Sequence, residues 1–291
     1  MLKNILVPLT GFARDSNALE AAFLIGWPFD AAIDALHVQP DPMKIVLNAA
    51  VHQFETTHGT REMLRDLQRQ AAAHTAKAKE AFDQFAARHL SAHAFASAQS
   101  GVSAAFRCIE GDPLDDTIST ARFADMVVIG RAPEHGQFST DQIANILVGC
   151  GRPVLLAPLR ETGAIGNTIA IAWKEKAEAA RAVTAAMPLL ERAKKVIVLS
   201  VEEHSSLPAA CSASAERLAT QLARHGMNVE AHGLAAKPHE GADVLVAKAR
   251  ELQADLIVSG AYSHSRVREL AFGGFTRSLL AKCELPVLLL H

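Results

Sequence analysis

Short runs of consecutive apolar residues recur along the chain and predict buried β-strands. Three lie in the first half, at residues 5–9, 126–129 and 154–156, and four in the second, at 169–172, 196–199, 256–258 and 287–290. Runs without polar alternation are typical of parallel strands that are covered on both faces. The pattern therefore predicts parallel sheets enclosed by other elements.

Amphipathic segments between these runs predict the covering helices. The clearest spans residues 61–89, where apolar side chains recur every three or four positions among charges. In the second half, residues 175–192, 215–225 and 242–252 have similar patterns. Strands alternating with helices indicate an α/β fold with right-handed crossovers. We expect each half to be a Rossmann-like, open five-stranded parallel sheet with helices on both faces.

The second half of the chain repeats the first. The string ADMVVIG, which ends at Gly130, returns as ADLIVSG ending at Gly260, and PVLLA at Pro153 returns as PVLLL at Pro286. A repeat of this length is two copies of one domain, and 291 residues suffice for two separate cores. We predict domains at residues 1–160 and 166–291. Residues 40–59 are an extra segment of the first copy, for which we favour a longer helix and loop over a lid.

Composition narrows the class of protein. The 29 basic and 31 acidic residues give a formal charge of −2, so a basic nucleic-acid-binding face is not expected. The four cysteines form no CxxC pair, and Cys150 and Cys283 occupy the same place in the two copies, which favours packing over reactivity. The chain shows neither a signal peptide nor an apolar run long enough for a membrane span. We expect a cytoplasmic protein that binds neither nucleic acid nor membrane.

A glycine-containing loop follows the apolar strand of the second copy that ends at Gly260. The segment reads GAYSHSRVRELAFGGFTRS and ends at Ser278. Glycines let the backbone approach an anion, and the free N–H groups at a helix N-terminus hold it. Ligands of open parallel sheets bind beyond the carboxyl ends of the strands. The sequence thus predicts a phosphate-binding loop in the second copy.

With this loop, and with a P-V-L-L strand closing each copy, the chain resembles the universal stress protein family in tandem form. The nucleotide loop of that family is G-x2-G-x9-G-[S/T]. Gly260 and Gly273 match its first and third glycines, whereas Ser263 replaces the second and Gly274 stands at the Ser/Thr position. The resemblance implies a stress-response ligand-binding protein whose second domain binds ATP, with Mg²⁺, or another adenine nucleotide.

The resemblance also implies further contacts. The family has an acidic residue after its first strand, near the adenine and ribose, where this chain has Thr10 and Lys174; Lys174 removes an acceptor for the adenine amine. Backbone contacts at the end of the second strand fall near Val38 and Val201, and residues 111–113 match the Gly-x-Pro turn of the family. The candidate ligand-binding residues are Lys174, Val201, Gly260, Ser263, His264, Gly273, Gly274 and Thr276.

The first copy has lost most of the loop. Counting back from the shared cysteine, Thr140 and Asp141 stand where Gly273 and Gly274 stand in the second copy. An aspartate at a phosphate seat repels the ligand. We predict that the first copy does not bind ATP in the manner of the family.

Three functions stay open from the residues alone. Besides nucleotide binding, the two copies could form a scaffold for protein partners or for another small ligand, and weak ATP hydrolysis is the third. The chain has no G-x-S-x-G or Walker A motif, and we assign no catalytic residue and no metal site. An open apolar edge strand risks aggregation, so we expect the final strands of the two copies to pair. Pairing within one molecule makes a pseudo-dimer, to which homodimerisation can be added.

Overall fold

The computed structural model describes residues 1–43, 59–90, 101–131, 138–160, 162–203, 208–261 and 274–291. The strands of the first half are β1 (Asn4–Leu9), β2 (Ala32–Pro40), β3 (Ser103–Gly111), β4 (Met126–Ile129) and β5 (Val154–Leu156). Those of the second half are β6 (Thr168–Trp173), β7 (Lys195–Glu202), β8 (Val229–Ala235), β9 (Leu256–Gly260) and β10 (Val287–Leu290). Each predicted apolar run lies within one of these strands.

Helices connect the strands in the predicted alternation. They are α1 (Asp15–Gly26), α2 (Gly59–His89), α3 (Pro113–Ala121), α4 (Thr140–Cys150), α5 (Ala177–Leu190), α6 (Pro208–Ala223), α7 (Gly241–Glu251) and α8 (Gly274–Lys282). Helix α6 begins seven residues before its predicted start, at a proline, which suits the first turn of a helix. Most of the extra segment at residues 40–59 lies outside the described residues. None of the helices in the described ranges has the length and apolarity needed to cross a membrane.

The two halves share one sheet. Its order is β3-β2-β1-β4-β5-β10-β9-β6-β7-β8, and all neighbours are parallel except β5 and β10. These two strands pair antiparallel at the centre, with Val154 opposite Leu289 and Leu156 opposite Val287. The α/β fold is confirmed, and so is the pairing of the final strands within one molecule. The predicted boundaries, 1–160 and 166–291, stay predictions.

The core has two layers, one on each face of the sheet. Helices α1, α2, α5 and α6 cover one face, with Leu19, Phe85 and Leu190 among the buried side chains. Helices α3, α4, α7 and α8 cover the other, with Ile146 and Leu245 among them. Each layer runs through both halves, which explains why the strands are apolar on both faces.

The repeated motifs have matching structural roles. The carboxylate of Asp125 accepts the backbone N–H groups of Lys3 and Asn4, and that of Asp255 accepts those of Gly166, Asn167 and Thr168. Each aspartate therefore holds the start of the first strand of its half.

The shared cysteines are buried at the ends of α4 and α8. Burial raises the pKa of the thiols of Cys150 and Cys283, which disfavours the reactive thiolate. Their position fits the predicted packing role.

A buried arginine crosses the seam between β5 and β10. Arg131, only 5% exposed, donates to the carbonyl oxygens of Ala157 (3.1 Å), Leu285 (2.8 Å) and Leu279 (3.4 Å). The last two acceptors belong to the second half. Burial lowers the pKa of Arg131 to about 10. In the repeat its counterpart is Ala261, so the contact is not mirrored on the other side of the seam.

Candidate functional site

The predicted ligand-binding residues of the second half lie at the carboxyl ends of three neighbouring strands. Trp173 pairs with Ser200, and Ala172 pairs with Ser259, which sets β7, β6 and β9 level. The exposed Lys174 follows β6, Val201 is the last residue but one of β7, and Gly260 ends β9. The sheet thus brings together three candidates that are far apart in sequence.

The phosphate loop itself is described only at its two ends. Ser263, His264 and Gly273 lie outside the described residues. Gly274 is the first residue of α8, and a Cβ added there would meet no described atom within 4 Å. Thr276 lies in the same first turn but is only 6% exposed, so its side chain is packed inside the protein.

Gly260 has a packing role that is independent of any ligand. A Cβ at this position would lie 2.6 Å from the backbone nitrogen of Ala179 and 2.6 Å from the carbonyl carbon of Glu178, in the first turn of α5. At Gly130, the equivalent position of the first half, it would lie 2.7 Å from the carbonyl oxygen of Arg14. Close approach of a helix therefore requires glycine at this position in both copies. This requirement explains why Gly130 is the one glycine of the family pattern that the first copy retains.

Helix α5 begins without a capping side chain among the described residues. Its N-cap is Lys176, and the exposed Lys174 lies two residues earlier. Uncapped N–H groups and nearby cations are both favourable to an anion.

The indole N–H of Trp173 donates to the Ser214 hydroxyl (3.0 Å). This bond ties the end of β6 to α6.

Several amides at the strand ends of the first half are occupied by its own side chains, although α1, the counterpart of α5, also begins without a capping side chain in the described part of the chain. Asp15 accepts the N–H groups of Thr10 and Gly11 at 3.0 and 2.7 Å. Asp112 caps α3, and Ser139 caps α4 in a reciprocal capping box with Gln142. Desolvation by burial raises the pKa of the Asp15 carboxyl, although these N–H bonds oppose the shift. An incoming anion would have to displace these groups.

A cavity of about 320 Å³ lies at the carboxyl ends of β1 and β2 in the first half. Helix α2 forms one wall, and the first turns of α3 and α4 form another. The described lining residues are Pro8, Leu9, Thr10, Phe12, Leu36, His37, Val38, Pro40, Pro42, Leu67, Gln70, Ala71, His74, Pro113, Thr117, Phe138 and Gln142.

Long-range contacts made by α2 and by His37 shape this cavity. Gly11 has a φ of +78°, and a Cβ there would lie 2.3 Å from the carbonyl oxygen of His74, so α2 docks directly on the β1–α1 turn. The rings of Phe12 and His74 lie 4.3 Å apart between their centroids. His37 is buried, with Nδ1 2.9 Å from the Leu9 carbonyl oxygen and Nε2 3.1 Å from the Thr75 hydroxyl.

Sequence reasoning identified only part of this cavity. It placed Thr10 and Val38 at family contact positions and matched residues 111–113 to a family turn; Thr10, Val38 and Pro113 line the cavity. It missed the side chains of α2 and the buried His37. A histidine inside the apolar strand β2 was the one local signal, since a buried polar side chain needs a partner.

Comparison with known proteins identifies the class. Residues 167–291 match the model of the Universal stress protein family. The whole chain is similar in structure to a universal stress protein from Archaeoglobus fulgidus, with 15% identity, coverage of 99% of this chain and 95% of that chain, and a TM-score of 0.62. A putative universal stress protein from Pseudomonas aeruginosa has 16% identity, 99% and 93% coverage and a TM-score of 0.58. No curated protein sequence matches the chain.

The fold therefore defines an α/β protein of two Rossmann-like halves. Residues 167–291 are a domain of the universal stress protein family, and the predicted resemblance is confirmed. The first half shares the strand order and lies within the same whole-chain similarity.

Proposed function

We propose that the protein is a stress-response ligand-binding protein whose second half binds an adenine nucleotide, ATP together with Mg²⁺. The observation that carries the proposal is the match of residues 167–291, the half with the glycine loop, to the family model. The match does not extend to the first half, whose loop keeps only Gly130 of the three glycines in the family pattern.

The surroundings of the loop support an anion in the second half. Gly274 opens α8 with free space around it among the described residues, so a phosphate group can approach the backbone. Lys174 adds positive charge at the neighbouring strand end and would lie near the bound nucleotide. Bound Mg²⁺ would neutralise part of the phosphate charge, and the chain's own contribution is the N–H groups of the helix end.

The test is calorimetric titration of the nucleotide-stripped, full-length protein with Mg-ATP. We expect one site per chain. The variant Gly274→Asp gives the second half the residue that the first half has, Asp141, and no described atom lies within 4 Å of the added Cβ. A carboxylate about 4 Å from a phosphate costs several kcal/mol at an effective dielectric constant of about 20, so affinity should fall at least about tenfold.

Asp141→Gly is the matched control, because it makes the reverse exchange in the first half and should leave the affinity unchanged. Absence of heat, and of any melting shift at millimolar Mg-ATP, would overturn the proposal and favour the scaffold function. Release of inorganic phosphate by the bound complex would add weak hydrolysis; we expect none above the spontaneous rate.

A further inference from the structure

We infer that the first-half cavity is a second ligand site, one that takes an uncharged small molecule with a planar, largely apolar ring system. Its volume of about 320 Å³ falls at the lower end of the range for small-molecule sites, which is about 300–1,000 Å³. The site is separate from the glycine loop, and the inference does not depend on nucleotide binding in the second half.

The described lining favours an uncharged ligand. Among the described residues around the cavity there is no Asp, Glu, Lys or Arg. A charged group that entered would lose its hydration without gaining a counter-charge from these residues, which is strongly unfavourable. The polar groups present are neutral hydroxyls, amides and imidazoles, which suit a few hydrogen bonds to a neutral molecule.

The backbone amides near the cavity also disfavour the binding of a phosphate. Thr10, Pro113 and Gln142 line the cavity, each next to an N–H group that could otherwise bind an anion. Asp15 and Asp112 already accept N–H groups in two of these places, and Ser139 does so in the third. A phosphate that entered the cavity would therefore compete with Asp15, Asp112 and Ser139 for these N–H groups.

The walls favour a flat ring. Phe12 and His74 form a tilted ring pair on one side, and the buried Phe138 lies at the start of α4. Leu36 and Val38 supply apolar surface at the strand ends. The side-chain oxygen of Gln142 accepts the Ser139 N–H at 2.9 Å, which leaves its NH₂ group to donate to a ligand.

The experiment compares three probes that share one ring and differ in charge: indole, indole-3-acetate and tryptamine. Ligand-observed NMR with the full-length protein measures the binding of each. We expect indole to bind with a dissociation constant on the order of a millimolar or tighter, and both charged probes to bind at least about tenfold more weakly. A preference for either charged probe, or no indole binding, overturns the inference.

A matched pair of variants locates the binding. Ala71 lines the cavity and is 7% exposed, whereas Ala72 is the next residue on α2 and faces solvent. Ala71→Phe fills the cavity and should abolish indole binding, and Ala72→Phe should preserve it. Leu67→Trp, also on the cavity wall, serves as a second filling variant should Ala71→Phe melt early.

Nucleotide binding provides an independent readout. Ala71→Phe should bind Mg-ATP as the wild type does, and Gly274→Asp should bind indole as the wild type does, so failure of one site leaves the other testable. Indole binding that survives in folded protein carrying either filling variant overturns the assignment of this cavity.

Discussion

Replacement of Arg131 by alanine tests whether the buried guanidinium holds the two halves together. Its two shorter hydrogen bonds, to Leu285 (2.8 Å) and Ala157 (3.1 Å), are charge-assisted. Such bonds contribute about 1.5–3 kcal/mol each, and their loss leaves carbonyl groups without a donor. Gross destabilisation is therefore about 3–6 kcal/mol. Alanine is a fitting replacement, because Ala261 occupies the equivalent place in the second half.

The cost of burying the charge offsets part of this loss. Burial lowers the pKa of Arg131 from its ordinary value to about 10. A shift of this size corresponds to roughly 3 kcal/mol of unfavourable desolvation, which the alanine variant no longer bears. Loss of the aliphatic stem leaves a cavity that adds to the destabilisation. We expect a net decrease of about 2 kcal/mol in the free energy of unfolding, or about 4 °C in Tm.

Urea denaturation and thermal melting of the full-length protein measure the effect. Arg152→Ala is the control, because the guanidinium of Arg152 also donates to a carbonyl, that of Arg122 at 2.7 and 3.1 Å, but near the surface. Its loss should change stability by no more than about 0.5 kcal/mol. An Arg131→Ala variant as stable as the wild type would mean that desolvation cancels the hydrogen bonds and that other contacts, the pairing of β5 with β10 among them, hold the seam.

Two further substitutions test the helix contacts at the strand ends. Burial raises the pKa of Asp15, so the folded protein binds more protons than the unfolded chain between its ordinary and its raised pKa. The stability of the wild type relative to Asp15→Asn should therefore fall as pH rises through the folded pKa. Denaturation of both proteins from about pH 3.5 to 7 measures this difference in stability. A wild-type advantage that grows with pH would mean that the N–H bonds to Asp15 outweigh its burial. Gly260→Ala should destabilise the nucleotide-free protein by about 1–3 kcal/mol, since its Cβ would meet the backbone of α5. Gly274→Ala, whose added Cβ would meet no described atom within 4 Å, should leave the melting temperature unchanged, and equal stability of both variants would contradict the packing argument.

Much of the fold could be predicted from local patterns. The uninterrupted apolar runs gave the strands β1, β4, β6 and β9, because strands covered on both faces have no polar side to alternate with. The repeat of the Ala-Asp and Pro-Val-Leu-Leu strings gave the two-copy organisation. The candidate site was predictable in part. The apolar runs placed Lys174, Val201 and Gly260 at the ends of three predicted strands, and the strand order of the sheet then makes those ends neighbours. Whether they bind nucleotide stays a proposal.

Periodicity and repeated strings are local properties of the chain, so they were enough to predict the set of elements and the likeness of the two halves. Which surfaces meet depends instead on tertiary packing. The cavity depends on Gly11 contacting His74, and the seam depends on Arg131 reaching Leu285, pairs that are widely separated in sequence. Such contacts form only when the chain packs, because helix docking and strand pairing bring the two partners together in space. The first-half cavity and the contact of Arg131 across the seam are therefore products of packing, and no sequence motif predicts either of them.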